Sequence, residues 1–190
     1  MTKKIMAAAA IALLALTGCS TATAEKPAAA EPAEETTTEA PAEEAAPEEG
    51  TRANPYPIGT AITDGDWTVT INSVTLDGTE AVIAENMFNE APAEGTQYML
   101  VNVTATYNGD NQDGTIPMLN LEYVTVDGNT INSFDAMVVP PEQFDSTATL
   151  YPGASTTGNF SFPVPTATAG EGTLALTADM MGDKVFIAVQ

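Results

Sequence analysis

The stretch 97-QYMLVNVTATY-107 decides the fold. Met99, Val101, Val103, Ala105 and Tyr107 alternate with Asn102, Thr104 and Thr106. Successive side chains of an extended chain point to opposite faces, so this period of two predicts a half-buried β-strand. The same alternation recurs on either side of it. In 66-DWTVTINSV-74, Trp67, Val69 and Ile71 lie opposite Thr68, Thr70 and Asn72, which makes Trp67 a core residue. Phe160, Phe162 and Val164 share one side of 158-GNFSFPV-164, and Val185, Ile187 and Val189 share one side of 184-KVFIAV-189. The run 121-LEYVTVDGNTINSF-134 holds two β-rich segments around Asp127-Gly128, a strong short-range hairpin signal. No long segment has a period of 3.6. The pattern predicts an all-β antiparallel sandwich of seven to nine strands spanning residues 54–190. At about 137 residues this is the usual size of one domain.

Large apolar side chains fall outside the alternation at one place, 85-ENMFNEAPAEG-95. There Met87 and Phe88 are expected to be exposed and are marked as a contact site. Three polar stretches read as turns. Asp64-Gly65-Asp66 launches the Trp67 strand, Asn108 to Thr115 is an inter-strand turn rather than a calcium loop, and Gly153 to Gly158 leads into the Phe160 strand.

Upstream the composition changes. Residues 1–18 carry Lys3 and Lys4 and then an apolar run from Ile5 to Leu16, the length of a signal-peptide core and too short to span a bilayer. Leu16-Thr17-Gly18-Cys19 follows directly and resembles the lipobox of bacterial lipoproteins. That resemblance implies a lipid on the Cys19 sulfur and cleavage just before it. A lone thiol on an exported tail would otherwise be open to oxidation. Residues 19–53 hold the lipidated cysteine and a segment of Ala, Glu, Pro and Thr with no aromatic residue and no aliphatic one larger than alanine. Such a chain cannot bury enough apolar surface to offset ordering entropy, and Pro27, Pro32, Pro41 and Pro47 interrupt any helix. It reads as a disordered acidic spacer, with Thr36 to Thr38 open to glycosylation.

Composition excludes much chemistry. The chain has no histidine and one cysteine, so neither an imidazole base nor a thiolate nucleophile or metal site is available. No nucleophile elbow or phosphate-binding loop is present. Lys184 is the only basic side chain in 54–190, against 17 carboxylates, and the net charge of the whole chain is −21. Polyanions are therefore repelled, nucleic acid included. Self-repulsion favours a monomer. No catalytic, cofactor or metal site is expected. A carboxylate pair for glycoside hydrolysis is the one enzymatic alternative.

Three stretches carry a further resemblance: NPYPIGTAITDGDWTVTINSV from Asn54, NEAPAEGTQYMLVNVTATYNG from Asn89, and YPGASTTGNFSFPVP from Tyr151. They resemble actinobacterial lipoproteins with an immunoglobulin-like domain of unknown function, itself similar to the secreted immunoprotective antigen of mycobacteria. The resemblance implies an immunoglobulin-like sandwich outside the cytoplasm and no catalytic residues. The antibody-type inter-sheet disulfide has no cysteines to form it here. The expected protein is a lipoprotein held by Cys19 on the outer face of a bacterial cell membrane. It presents a binding or adaptor module to an envelope protein or wall polymer. Hydrolysis of wall glycans and a purely structural envelope role are the alternatives.

Overall fold

Eight strands, one short helix and one 3-10 turn make up the computed structural model, which describes residues 48–190. The signal segment, Cys19 and the spacer up to residue 47 lie outside the described residues. In chain order the elements are β1 (Ala61–Asp64), β2 (Trp67–Thr75), α1 (Thr79–Glu85), β3 (Thr96–Tyr107), β4 (Asn120–Val124), β5 (Thr130–Asn132), the 3-10 turn Ser133–Asp135, β6 (Ser155–Pro165), β7 (Thr173–Thr177) and β8 (Lys184–Ala188). Two four-stranded antiparallel sheets result, ordered β1-β2-β3-β6 and β5-β4-β7-β8. The pairs β3–β6 and β4–β7 each join strands that the chain reaches by crossing between sheets, which is the connectivity of immunoglobulin-like sandwiches.

The inner faces carry the core that the alternation predicts. Trp67, Val69, Ile71, Met99, Val101 and Val103 from one sheet meet Leu121, Tyr123, Leu174, Leu176 and Ile187 from the other. Trp67 packs against the Tyr107 ring, with centroids 5.1 Å apart. Within β2 the register shifts between Ile71 and Ser73, so Asn72 is an inserted bulge residue and Val74 returns to the core side. The displaced Asn72 carboxamide donates to Asn102 (2.8 Å) and Thr104 (2.9 Å) on the outer face. Hydroxyl pairs Thr104–Thr157 and Thr106–Ser155, each 2.8 Å, continue that polar face.

The turns differ in detail from their sequence reading. Gly65, at φ 53°, and Asp66 form the two-residue connection of the β1–β2 hairpin. The β4–β5 hairpin is present, but its loop is Val126-Asp127-Gly128, closed by Gly128 N–H to Thr125 O at 2.9 Å. Gly128, at φ 88°, takes the left-handed position that ends such a three-residue loop. Ser155 to Gly158 lie inside β6 rather than in a turn leading to it, since they pair with Thr106 to Val103.

Residues 50–53, read from sequence as the end of the spacer, are bonded to the sandwich. Phe186 N–H donates to Gly50 O (2.8 Å), and the Arg52 guanidinium donates to the carbonyls of Thr125 (2.8 Å) and Val126 (2.7 Å).

The alternation does not anticipate α1. Its seven residues make about two turns, too few for a hydrophobic repeat, and Val82 is its one buried side chain. Val82 sits on Tyr98 and Leu100, which project from the outer face of β3 and form a second small core. Gly78 lets the helix start close to the sheet, because a Cβ there would lie 2.6 Å from the Leu100 side chain.

Trp67→Ala is expected to cost about 3–5 kcal/mol, checked by urea unfolding, because the surrounding strands cannot close over the lost ring. A change within about 0.5 kcal/mol would place Trp67 outside the core.

Candidate functional site

The outer, N-terminal part of β3 must be covered, and the covering pieces build the site. Past the 3-10 turn the chain runs as an extended strap, Ala136 to Phe144, along the side of the sandwich. Two asparagines fasten it. The Asn89 carboxamide donates to Val82 O (2.6 Å) and Val139 O (2.8 Å) and accepts from Val139 N–H (2.9 Å), joining helix, loop and strap. Asn159 on β6 donates through its backbone to Glu142 O (2.8 Å) and through its side chain to Pro141 O (2.7 Å). Its own carbonyl accepts from Phe144 N–H (3.1 Å). Gly158 permits this approach, since a Cβ there would lie 2.5 Å from Phe144 Cα and 2.7 Å from Glu142 O. Glu142, with φ 47°, is the one non-glycine residue in the left-handed region among the described residues, which fits a backbone bent to meet β6.

Two clefts open beside the strap. The first, about 400 Å³, lies between the 3-10 turn, the strap and β6. Phe134, Val138, Val139, Phe144 and Phe160 supply apolar walls, and Gln143, Asn159 and Ser161 supply polar ones. The Phe144 and Phe160 rings stack at 4.9 Å. All the residues lining it are uncharged, in a domain otherwise rich in carboxylates. The second, about 840 Å³, lies between the 85–95 loop and the strap, bordered by Phe88, Glu90, Tyr98, Asp135 and Pro163. Ala136, Met137 and Val138 border both. Phe88 is 81% exposed, Met87 89%, Phe134 69% and Met137 93%. Met87 and Phe88 stand out in the sequence as large apolar residues outside the alternation. Phe134 and Met137 carry no such signal, because they become neighbours of that loop only through the strap.

A third hollow, about 410 Å³ between β1 and β8, contains Asp64 and Asp183, and Asp64 accepts the Asp183 N–H at 2.9 Å. In the 108–115 turn the Asn111 carboxamide is engaged within the loop, accepting from Asp113 N–H (3.0 Å) and donating to Gly114 O (3.2 Å). Among the described residues no group of three or more His, Cys, Asp or Glu side chains converges on a metal position. Among the described residues two carboxyl groups have displaced pKa values, Asp77 and Asp145. Hydrogen bonds from the side chain and then the backbone of Thr79 lower the first, and those of Thr147 lower the second. Both cations of the described sandwich are engaged, Arg52 as above and Lys184 by Glu122 at 2.8 Å. No helix among the described residues is long and apolar enough to cross a membrane.

Fold and site together define an all-β sandwich domain with an apolar, strap-built cleft at one edge. The chain belongs to the family described as a domain of unknown function, DUF4352, which matches residues 56–186. Its structure is similar to that of a conserved hypothetical protein from Bacillus anthracis, with 11% identity and a TM-score of 0.43, covering 69% of this chain and 94% of that one. It is also similar to an uncharacterized β-sandwich protein from Clostridium difficile 630, with 14% identity and a TM-score of 0.43, covering 76% and 98%. No curated protein matches the chain.

Gly158→Ala is expected to push the strap off β6, because the clashing atoms are backbone and cannot swing aside. The cost is about 1–3 kcal/mol, and amide exchange of Phe144 and Asn159 should accelerate while the β3–β2 amides stay protected. A second expectation concerns alkaline pH. Burial, and then the Glu90 charge, raise the Tyr98 pKa above its ordinary 10.0. Burial does the same for Tyr123, offset in part by a backbone hydrogen bond at Gly172 and reinforced, least of the three, by the Glu171 charge. The folded state therefore holds both protons more tightly than the unfolded chain does. Their contribution to stability is complete below pH about 10 and is lost as pH rises through the folded-state values. Melting curves should fall steeply only on the alkaline side of that point, and a Tyr98→Phe, Tyr123→Phe pair should flatten the fall.

Proposed function

We propose that the protein is a cell-surface lipoprotein, tethered to the outer face of the cell membrane by a lipid on Cys19, whose sandwich is a binding or adaptor module for an envelope protein. One observation carries the binding role: Phe88, Phe134 and Met137, all largely exposed, border two open clefts on one side of an acidic domain. Exposed aromatic and methionine side chains around a concave surface are the composition of interface centres. The lipobox and the signal segment support the tether, and the resemblance to actinobacterial lipoproteins and the mycobacterial antigen accords with it. The engaged Arg52 and Lys184 weigh against a nucleic-acid partner. Hydrolysis of wall glycans needs a carboxyl group raised to act as an acid, whereas Asp77 and Asp145 are both displaced downward and line neither cleft.

In-cell cross-linking with carboxylate-reactive chemistry is expected to capture a reproducible envelope protein. Phe88→Ser with Met137→Ser should reduce that capture about tenfold while moving stability by no more than about 0.5 kcal/mol, since both side chains are exposed. Unchanged capture by the double variant would overturn the assignment of this face. Cys19→Ala is expected to abolish lipid labelling and leave unprocessed precursor. Normal processing of that variant would overturn the tether.

A further inference from the structure

We propose that the free edge of β1 takes up an extended segment of a partner protein as an added antiparallel strand, with an apolar side chain over Ile62 and a Lys or Arg beside Asp64. This surface is separate from the Phe88 and Met137 face, since β1 and β6 are opposite edges of the first sheet and the strap lies along β6. Tyr107 N–H donates to Ala154 O (3.0 Å) and Tyr107 O accepts from Gly153 N–H (2.8 Å), so the Tyr107 backbone faces β6. Its partner on β2, Trp67, therefore turns its own backbone groups the other way, toward β1, where it pairs with Asp64. Alternation along the hairpin makes Asp64–Trp67 and Ile62–Val69 the hydrogen-bonded pairs. It also turns the N–H and C=O of Ala61 and Thr63 outward. The bond from Gly59 N–H to Ile71 O (2.9 Å) has the same phase. No described residue pairs with those outward groups, and Ala61 and Thr63 are both exposed. Two other edges are closed. The chain entering the domain seals β8, through Tyr56 N–H to Phe186 O and Ala188 N–H to Tyr56 O, both 2.8 Å, and the strap seals β6 at Asn159.

Side chains and charge select the occupant. Ile62 and Asp64 lie on the same face as Val69 and Trp67, and both border the hollow of about 410 Å³ between β1 and β8. Tyr56, Ile62 and Val185 form its apolar wall, which is the half-buried margin of the main core. Asp64 and Asp183 are the charged residues lining it. Asp64 accepts a neutral donor, the Asp183 N–H, at 2.9 Å. The cations of the described sandwich are engaged elsewhere, Arg52 by carbonyls and Lys184 by Glu122, so the hollow's negative charge is left for a partner's cation. An added strand places alternate side chains on one face about 7 Å apart, directly across from Ile62 and Asp64. Antiparallel pairing sets their order: a cation, then an apolar residue two positions later. Backbone pairing supplies the attachment and the hollow the choice, as in other strand-addition sites. A four-residue strand with an inward-facing aspartate is a guarded edge, and the guard restricts entry to segments that bring a cation.

The test uses capped heptapeptides Thr-Lys-Thr-X-Thr-Val-Thr, with X as Val, Leu or Phe, added to the isotope-labelled full chain and followed by NMR. At least one is expected to shift the amides of Ala61 to Asp64 and Asp183 to Val185 and to slow exchange of the Ala61 and Thr63 amides about tenfold. Methylating the backbone nitrogens of the peptide's third and fifth residues, which face Thr63 and Ala61, removes the pairing donors and keeps every side chain. That peptide should bind about tenfold more weakly. Asp64→Asn should weaken binding of the unmodified peptide about threefold at low salt and less at high salt. Phe88→Ser with Met137→Ser should leave it unchanged. Equal binding of the methylated peptide, no effect of Asp64→Asn, or shifts without slower exchange at Ala61 and Thr63 overturns the inference. So does a dimer formed through β1 before peptide is added, loss of binding in the Phe88, Met137 variant, or no binding at millimolar peptide. The adaptor face is tested apart from this edge, by cross-linked capture in the Phe88, Met137 variant.

Discussion

Strand β3 is buried on both faces where it begins, and the rest of the molecule answers to that constraint. Tyr98, Met99, Leu100 and Val101 are four consecutive buried residues. Met99 and Val101 face the inter-sheet core, while Tyr98 and Leu100 face what would otherwise be water. Exposing two such side chains would forfeit about 1.5–3 kcal/mol each. The cover is assembled from pieces far apart in sequence: Val82 from α1, Ala136 and Val138 from the strap. A strap laid over a sheet edge leaves gaps beside it, and those gaps are the two clefts. The candidate site is thus a by-product of how one strand is kept dry.

The inner half of the structure was legible because it obeys a period of two. Trp67, Val69, Ile71, Met99, Val101 and Val103 alternate without interruption, and each is buried. The outer half was not. Seven residues of α1 are too few to show a helical repeat. Phe134, Met137, Val138 and Val139 obey no period, since the strap pairs with β6 at only one residue, Gln143 with Asn159. Asn89 and Asn159, the two fasteners, read as ordinary polar positions in a loop and on a solvent face. Gly158 is the one signal that was available, a glycine inside a strand pattern, which often marks a close backbone approach.

The electrostatics are as one-sided as the composition suggests, with a local exception. Asp77 and Asp145 each serve a turn, accepting the amide of the residue two positions on, at 3.1 Å and 2.9 Å. The Lys184–Glu122 pair is exposed and contributes little to stability. Cohesion therefore lies in the apolar core and the ladders, while the carboxylates set the charge of the surface. Within that surface the cleft walled by Phe134, Phe144 and Phe160 is electrically bare.

The β3–β6 ladder also governs how fast the domain can assemble. Thr106 and Ser155, its partners nearest in sequence, are 49 residues apart, and Asn102 and Asn159 are 57 apart. The central strand cannot gain its second neighbour until a long loop has closed, at an entropic cost that local contacts do not repay. Such topologies fold on the millisecond-to-second scale rather than in microseconds. Because no cysteine lies between residues 48 and 190, that search is neither guided nor locked by a covalent bond. The domain finds its native pairing through side-chain pattern alone, and its refolding is indifferent to the redox state of its surroundings.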